Sequence, residues 1–139
     1  MKIAVENCQL IKLPVVGNSS GKISPIHGNE DIPFPIKRVF YLYDIPGGKD
    51  RGAHAHIQCH QFIIAGSGAF EVEVDDGIKK KLFFMNRANY GLYIPPGIWA
   101  SEKKFSNGSI CLVFCSHGYD ANDYIRNYDQ FLICTKQNT

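Results

Sequence analysis

Two histidines separated by a single residue, His54 and His56, are the strongest chemical feature of this chain. The surrounding run favours an extended backbone, and in a strand residues i and i+2 point to the same face, so both rings would reach one pocket. An imidazole with an unperturbed pKa of about 6.5 both accepts and donates protons near neutrality, which suits the pair to moving a proton on one small molecule. Arg51 beside them adds a cation fitted to an anionic group such as a phosphate. The competing reading is a pair of core histidines satisfied by packing. His60 has the opposite parity to Gln61 and is expected to be structural, while His27 and His117 fall in turn-like or terminal contexts expected at the surface.

The elements that must position these rings are mostly strands. KRVFYLYDI, HQFIIAG, AFEVEV, KKLFFM, YGLYIP and SICLVFCS are rich in Val, Ile, Phe and Tyr. Turn residues such as Gly66-Ser67-Gly68 and Asp75-Asp76-Gly77 separate them as hairpin connections do. The spacing predicts a mostly β sandwich or barrel. At the carboxyl end Tyr124, Ile125, Tyr128, Phe131 and Leu132 recur at helical spacing after the capping residues Asp120 and Asp123, which predicts one short helix. Residues 1–35 hold strand fragments around the turn Gly17 to Gly21, and a short strand there could complete a neighbour's sheet, which suggests a homodimer.

With 139 residues the chain fits a single domain, 1–139, able to bury a core. A content of 45% hydrophobic and 20% charged residues argues against a disordered or fibrous chain. The net charge of +2, without a basic run, argues against nucleic acid as a partner. No apolar run approaches the ~20 residues of a membrane span, and the first residues are too polar for a secretory signal. The five cysteines are odd in number and show no CxxC spacing, as expected of reduced thiols in a cytoplasmic protein; Cys111 and Cys115 share a strand face and are read as buried small hydrophobes.

The stretch from Gly48 to Gly68 resembles the first cupin motif, with His54 and His56, then Gln61, then Gly68 in register. In metal-binding cupins the Gln61 position is normally a glutamate ligand, and a second motif supplies another histidine. Here that second motif is Pro95-Pro96-Gly97-Ile98-Trp99-Ala100, with Ala100 where the histidine would fall. Two imidazoles and a neutral amide make a poor divalent site, so no catalytic metal is expected.

Longer strings resemble the bacterial sugar 3,4-ketoisomerases that act on dTDP-4-keto-6-deoxyglucose: IPFPIKRVFYLYDI, RGAHAH, YGLYIPPGIW and, most discriminating, YDANDYIRNYDQF. The resemblance implies a cupin or jelly-roll β-barrel homodimer working without metal or other cofactor. It also implies a role in making deoxysugars for surface glycans such as lipopolysaccharide O-antigen. The family's active-site histidines map onto His54 and His56. The carbonyl at carbon 4 acidifies the hydrogen on carbon 3, so a base can form an enediol shared by the two carbons, and return of the proton to carbon 4 completes the isomerisation. His54 is assigned as the base and His56 as its acid partner. Arg38 and Arg51 are candidates for the diphosphate, Tyr93 and Trp99 for the base or sugar, and Gln61, Ser20 and Ala100 for further contacts to substrate. Tyr124, Arg126 and Tyr128 are read as packing or dimer residues. Ala100 and Ser20 depart from the family pattern, as does Phe40 where a tyrosine is common, so the carbon 4 configuration of the product stays open. The alternatives are a cupin-type deoxysugar epimerase, a non-catalytic nucleotide-sugar binding module and a metal-dependent dioxygenase.

Overall fold

The computed structural model describes residues 2–137. Its strands, in chain order, are β1 (Gln9–Lys12), β2 (Val16–Asn18), β3 (Gly21–Ile23), β4 (Arg38–Leu42), β5 (Arg51–His56), β6 (Gln61–Ser67), β7 (Phe70–Asp75), β8 (Lys80–Met85), β9 (Tyr90–Ile94), β10 (Trp99–Lys103), β11 (Ile110–Cys115) and β12 (Tyr124–Ile125). One helix, α1 (Tyr128–Gln137), follows. The strands form two five-stranded antiparallel sheets, β1-β9-β6-β11-β4 and β12-β5-β10-β7-β8, with β2 and β3 as a separate hairpin. The mostly β jelly roll with its terminal helix is as the sequence predicts. The barrel is not closed: the described strands make two facing sheets with no hydrogen-bonded ring joining them.

Alternation along the strands decides what lies between the sheets. Phe70, Val72 and Val74 of β7 meet Ile63, Leu92, Ile94, Cys111, Val113 and Cys115 in the main core. The other face of the first sheet is covered too, because Phe62 and Ile64 pack under Leu13, Ile32 and Phe34 of the amino-terminal segment. β6 is therefore apolar on both faces, which is why HQFIIAG reads as a continuous run. The second sheet carries α1 on its outside, where Trp99 packs against Tyr128 and Phe131.

The carboxyl-terminal helix starts later than its periodicity suggested. Asp120 does cap, accepting from the Asn122 amide, but it caps a single 3-10 turn, Ala121–Asp123. The chain then returns to extended backbone, and Tyr124 and Ile125 pair with His56 and Ala55. Asn127, whose side chain accepts from the Gln130 amide, opens α1. Tertiary pairing thus overrides the i, i+4 relation of Tyr124 to Tyr128.

Candidate active site

β5 positions the histidines. Its register against β10 slips between Ala100↔His54 and Glu102↔Arg51, forming a bulge at Gly52, whose φ of 75° favours glycine. Any side chain at Gly52 would collide with the Glu102 carboxyl, so this glycine also makes room for a buried acid. Beyond the bulge His54 and His56 both turn inward. Their ring centroids are 4.9 Å apart with planes at 86°. The Tyr124 ring lies against both, 5.0 Å from His54 and 4.4 Å from His56.

His56 is buried and held by one ring nitrogen. Its Nδ1 lies 2.8 Å from Asp123 Oδ2, while Nε2 is buried and has no partner. Asp123 is itself fixed: Oδ1 accepts from the Gln58 amide at 2.7 Å, and its backbone carbonyl accepts from the Ile57 amide at 2.9 Å. Burial raises the Asp123 pKa, but hydrogen bonds from His56 and from the Gln58 and Cys59 amides outweigh it and hold the carboxyl below its ordinary range. An ionised Asp123 can only accept, so Nδ1–H donates to it and in the neutral ring the Nε2 lone pair is the one left free.

The surroundings of His54 disfavour its charged form. Burial, then the neighbouring His56 and Arg126, lower it to about 4, against a hydrogen bond to the Gly52 backbone. It is neutral at physiological pH. Two adjacent imidazoles thus differ in environment, one desolvated beside cations and one backed by a carboxylate.

The opposite wall comes from the first sheet. Arg38, Cys115 and Gln61 sit abreast in register at the same end as His56. Arg38 reaches Tyr124 Oη at 3.4 Å and Cys115 Sγ at 3.6 Å, and its Nε is buried without a partner. Its guanidinium also lies 5.3 Å from the Phe40 ring and 5.6 Å from that of Tyr119. Arg126 stacks over Tyr124 at 4.3 Å. Two guanidiniums and two tyrosines thus cluster about the two imidazoles, an arrangement suited to an anionic, ring-bearing ligand.

The structure therefore brings together His54, His56, Arg38, Gln61 and Ala100, the last lying directly across from His54. It does not bring the others there. The Tyr93 hydroxyl pairs with His60 Nδ1 at 2.7 Å on the outer face of the first sheet, where the His60 ring stacks on both Phe34 and Tyr93, so both are packing residues. Trp99 faces α1. Ser20 sits in the exposed turn of the β2–β3 hairpin, its amide donating to Asn18. Arg51 is exposed at the bulge beside Glu102, about 10 Å of strand away from His54. Tyr124 and Arg126, read from the sequence as packing residues, belong to the cluster, and Asp123, read as a helix cap, supports it. Their only sequence signal was the string YDANDYIRNYDQF, whose helical periodicity concealed an extended segment.

Among the described residues, two groups of three metal-ligating side chains lie together: His56, Cys59 and Asp123, and the exposed His27, Glu30 and Asp31. His54 and Gln61 belong to neither. A cleft of about 520 Å³ between α1 and the amino-terminal segment, lined by Ile3, Pro96, Gly97 and Phe131, touches His56 but not His54, Tyr124 or Arg38, and so is separate from that cluster.

The family model FdtA: WxcM-like, C-terminal matches residues 6–136. The chain belongs to that family. This WxcM-like chain is 36% identical over 123 residues, 88% of each sequence, to the TDP-4-oxo-6-deoxy-alpha-D-glucose-3,4-oxoisomerase of Aneurinibacillus thermoaerophilus. It is similar to the sugar 3,4-ketoisomerase QdtA from Thermoanaerobacterium thermosaccharolyticum, solved in complex with TDP, with a TM-score of 0.93 at 36% identity over 97% of this chain and 98% of that one. A mutant of QdtA was solved in complex with TDP-4-keto-6-deoxyglucose. The TDP-quinovose 3,4-ketoisomerase WlaRB from Campylobacter jejuni matches with a TM-score of 0.88 at 39% identity, covering 92% and 98% of the two chains.

Proposed function

We propose that this WxcM-like chain is a sugar-nucleotide 3,4-ketoisomerase, converting a dTDP-4-keto-6-deoxyhexose to its 3-keto isomer without a metal. The observation that carries the reading is the pair of inward imidazoles: neutral His54 lies 4.9 Å from His56, whose Nδ1 is held by Asp123 and whose Nε2 is unpartnered. His54 takes the proton from carbon 3 as the carbon 4 oxygen takes one up from solvent, leaving an enediol across carbons 3 and 4. His56 takes a proton from solvent on Nε2 and delivers it to carbon 4, with Asp123 as the charged partner of the ring while it is protonated. The proton on the carbon 3 oxygen leaves as the new carbonyl forms, so nothing is oxidised or reduced overall. Arg38 and Arg126 are the candidates for the diphosphate. Neutralisation of Arg126 by the ligand would lift part of the cationic pressure on His54 and strengthen it as a base once substrate is seated.

Incubation with dTDP-4-keto-6-deoxyglucose in deuterated buffer, followed by NMR of the product, tests this. The expected product is a 3-keto sugar with deuterium at carbon 4. An unchanged carbonyl position with exchange at carbon 3 alone would point instead to an epimerase, and saturable binding without turnover to a binding module. Asp123→Asn is expected to lower kcat by about tenfold to a hundredfold with little change in KM, because the amide no longer fixes the tautomer of His56. A kcat matching the parent, read together with an unshifted pH profile, would remove Asp123 from the mechanism.

We also place the protein in the cytoplasm, in synthesis of deoxysugars for surface glycans, and as a homodimer. No described helix is long and apolar enough to cross a membrane. Val16 and Ile23 are exposed on a β2–β3 hairpin that pairs with no other described strand, which supports the dimer reading.

A further inference from the structure

We propose that His56, Cys59 and Asp123 form a binding site for a thiophilic divalent cation of the zinc type, whose occupancy switches off proton transfer by His56. The binding half of this inference stands apart from the ketoisomerase reading; the inhibitory half rests on it.

His56-Ile57-Gln58-Cys59 places an imidazole and a thiol with two residues between them, the spacing of a short chelating loop. The fold closes that loop onto a third donor, and the ligating atoms of His56, Cys59 and Asp123 all lie within 4.8 Å of one another. The loop is already pinned by the residue that supplies this donor, since the Ile57 and Gln58 amides both bind Asp123. His56 and Cys59 are buried, so a cation held there would be shielded from solvent. One nitrogen, one sulfur and one oxygen suit tetrahedral zinc, whose bonds of about 2.0 to 2.3 Å put donors roughly 3.3 to 3.8 Å apart. The widest pair needs to close by at most about 1 Å. The His56–Asp123 pair must open from 2.8 Å. The Cys59 thiol donates to the His60 carbonyl at 3.3 Å, a bond that the cation would replace, and water can fill the fourth position.

Binding needs no redox partner. The cation displaces the thiol proton of Cys59, which passes to solvent, and forms a metal–sulfur bond. It takes the Nδ1 lone pair of His56 after the ring proton shifts to Nε2. The free lone pair on Nε2 is then gone, and the ring can no longer shuttle a proton.

The test is titration of the metal-free, untagged full chain with Co²⁺, following thiolate-to-cobalt charge-transfer absorption in the near ultraviolet, with Zn²⁺ as competitor. A single cobalt per chain with that band, bleached by zinc, is expected. Zinc should lower turnover by about tenfold or more in the parent. Cys59→Ser should lose the band and the inhibition while keeping basal turnover, and Cys59→Ala serves if circular dichroism shows the serine variant unfolded. Cobalt bound without a thiolate band, as the sulfur-free His27 cluster would bind it, overturns the proposal. So does a band or an inhibition that survives removal of the thiol. A parent chain that never turns over the sugar nucleotide would defeat the ketoisomerase reading instead, and the cobalt band would still decide the site.

Discussion

His54→Asn is expected to lower kcat for carbonyl migration by about a hundredfold or more, and His56→Asn to do the same, because each removes a positioned proton carrier while preserving shape and polarity. The two losses should differ in kind. Without His54 the proton on carbon 3 is not abstracted, so solvent deuterium stops entering the unreacted substrate. Without His56 that exchange persists while product formation fails. The pH profile gives a second handle on the same residue. A base must be neutral to act, and His54 is lowered from 6.5 to about 4 by burial and then by neighbouring positive charge. The rate of the free enzyme acting on substrate should therefore hold well below pH 6.5 and fall only as pH drops through about 4. Near-parental activity in both asparagine variants, measured by NMR of the product, would end the proposed mechanism.

Glu102→Gln is expected to stabilise the protein by about 3 kcal/mol at pH 8 and to change it little at pH 4. The parent carboxyl is buried between the sheets, its Oε2 has no partner, and burial raises it from 4.5 to about 7 against its own backbone amide and the charge of Arg51. The unfolded chain therefore releases this proton at a lower pH than the folded one. The stability this group contributes is present in full below 4.5, declines as pH rises and is lost through about 7. Glutamine keeps the volume and cannot ionise, so the decline should vanish. Urea unfolding of both proteins at several pH values checks this, and parallel curves would show that the carboxyl is solvated or paired. His54 acts with the opposite sign, since its lowered pKa makes the folded state lose stability as pH falls from 6.5 toward about 4.

How much of the site could be read from the sequence follows from the range of the interactions. His54 and His56 were legible because the period of a strand puts i and i+2 on one face whatever the fold does elsewhere. Arg38 and Ala100 followed from strings resembling known relatives. Tyr93 and Trp99 were misplaced because both sheets are covered on their outer faces, by the Phe34 segment and by α1, so an aromatic on a strand has two apolar sides to choose from. Asp123 stayed hidden because its partner lies 67 residues away and its local string has helical periodicity. Glu102 stayed hidden as well: WASEK has no apolar alternation to mark which residues face inward, and Ala100 and Glu102 are the buried ones.

The bond between His56 and Asp123 spans almost the whole strand order, since the carboxylate emerges from the ribosome only after β6 to β11 have been made. β12 is the edge strand of its sheet and pairs with β5 alone, so loss of that edge would take away the Asp123 tether and the Tyr124 roof of His56 while leaving the pairing of every other strand in both sheets in place.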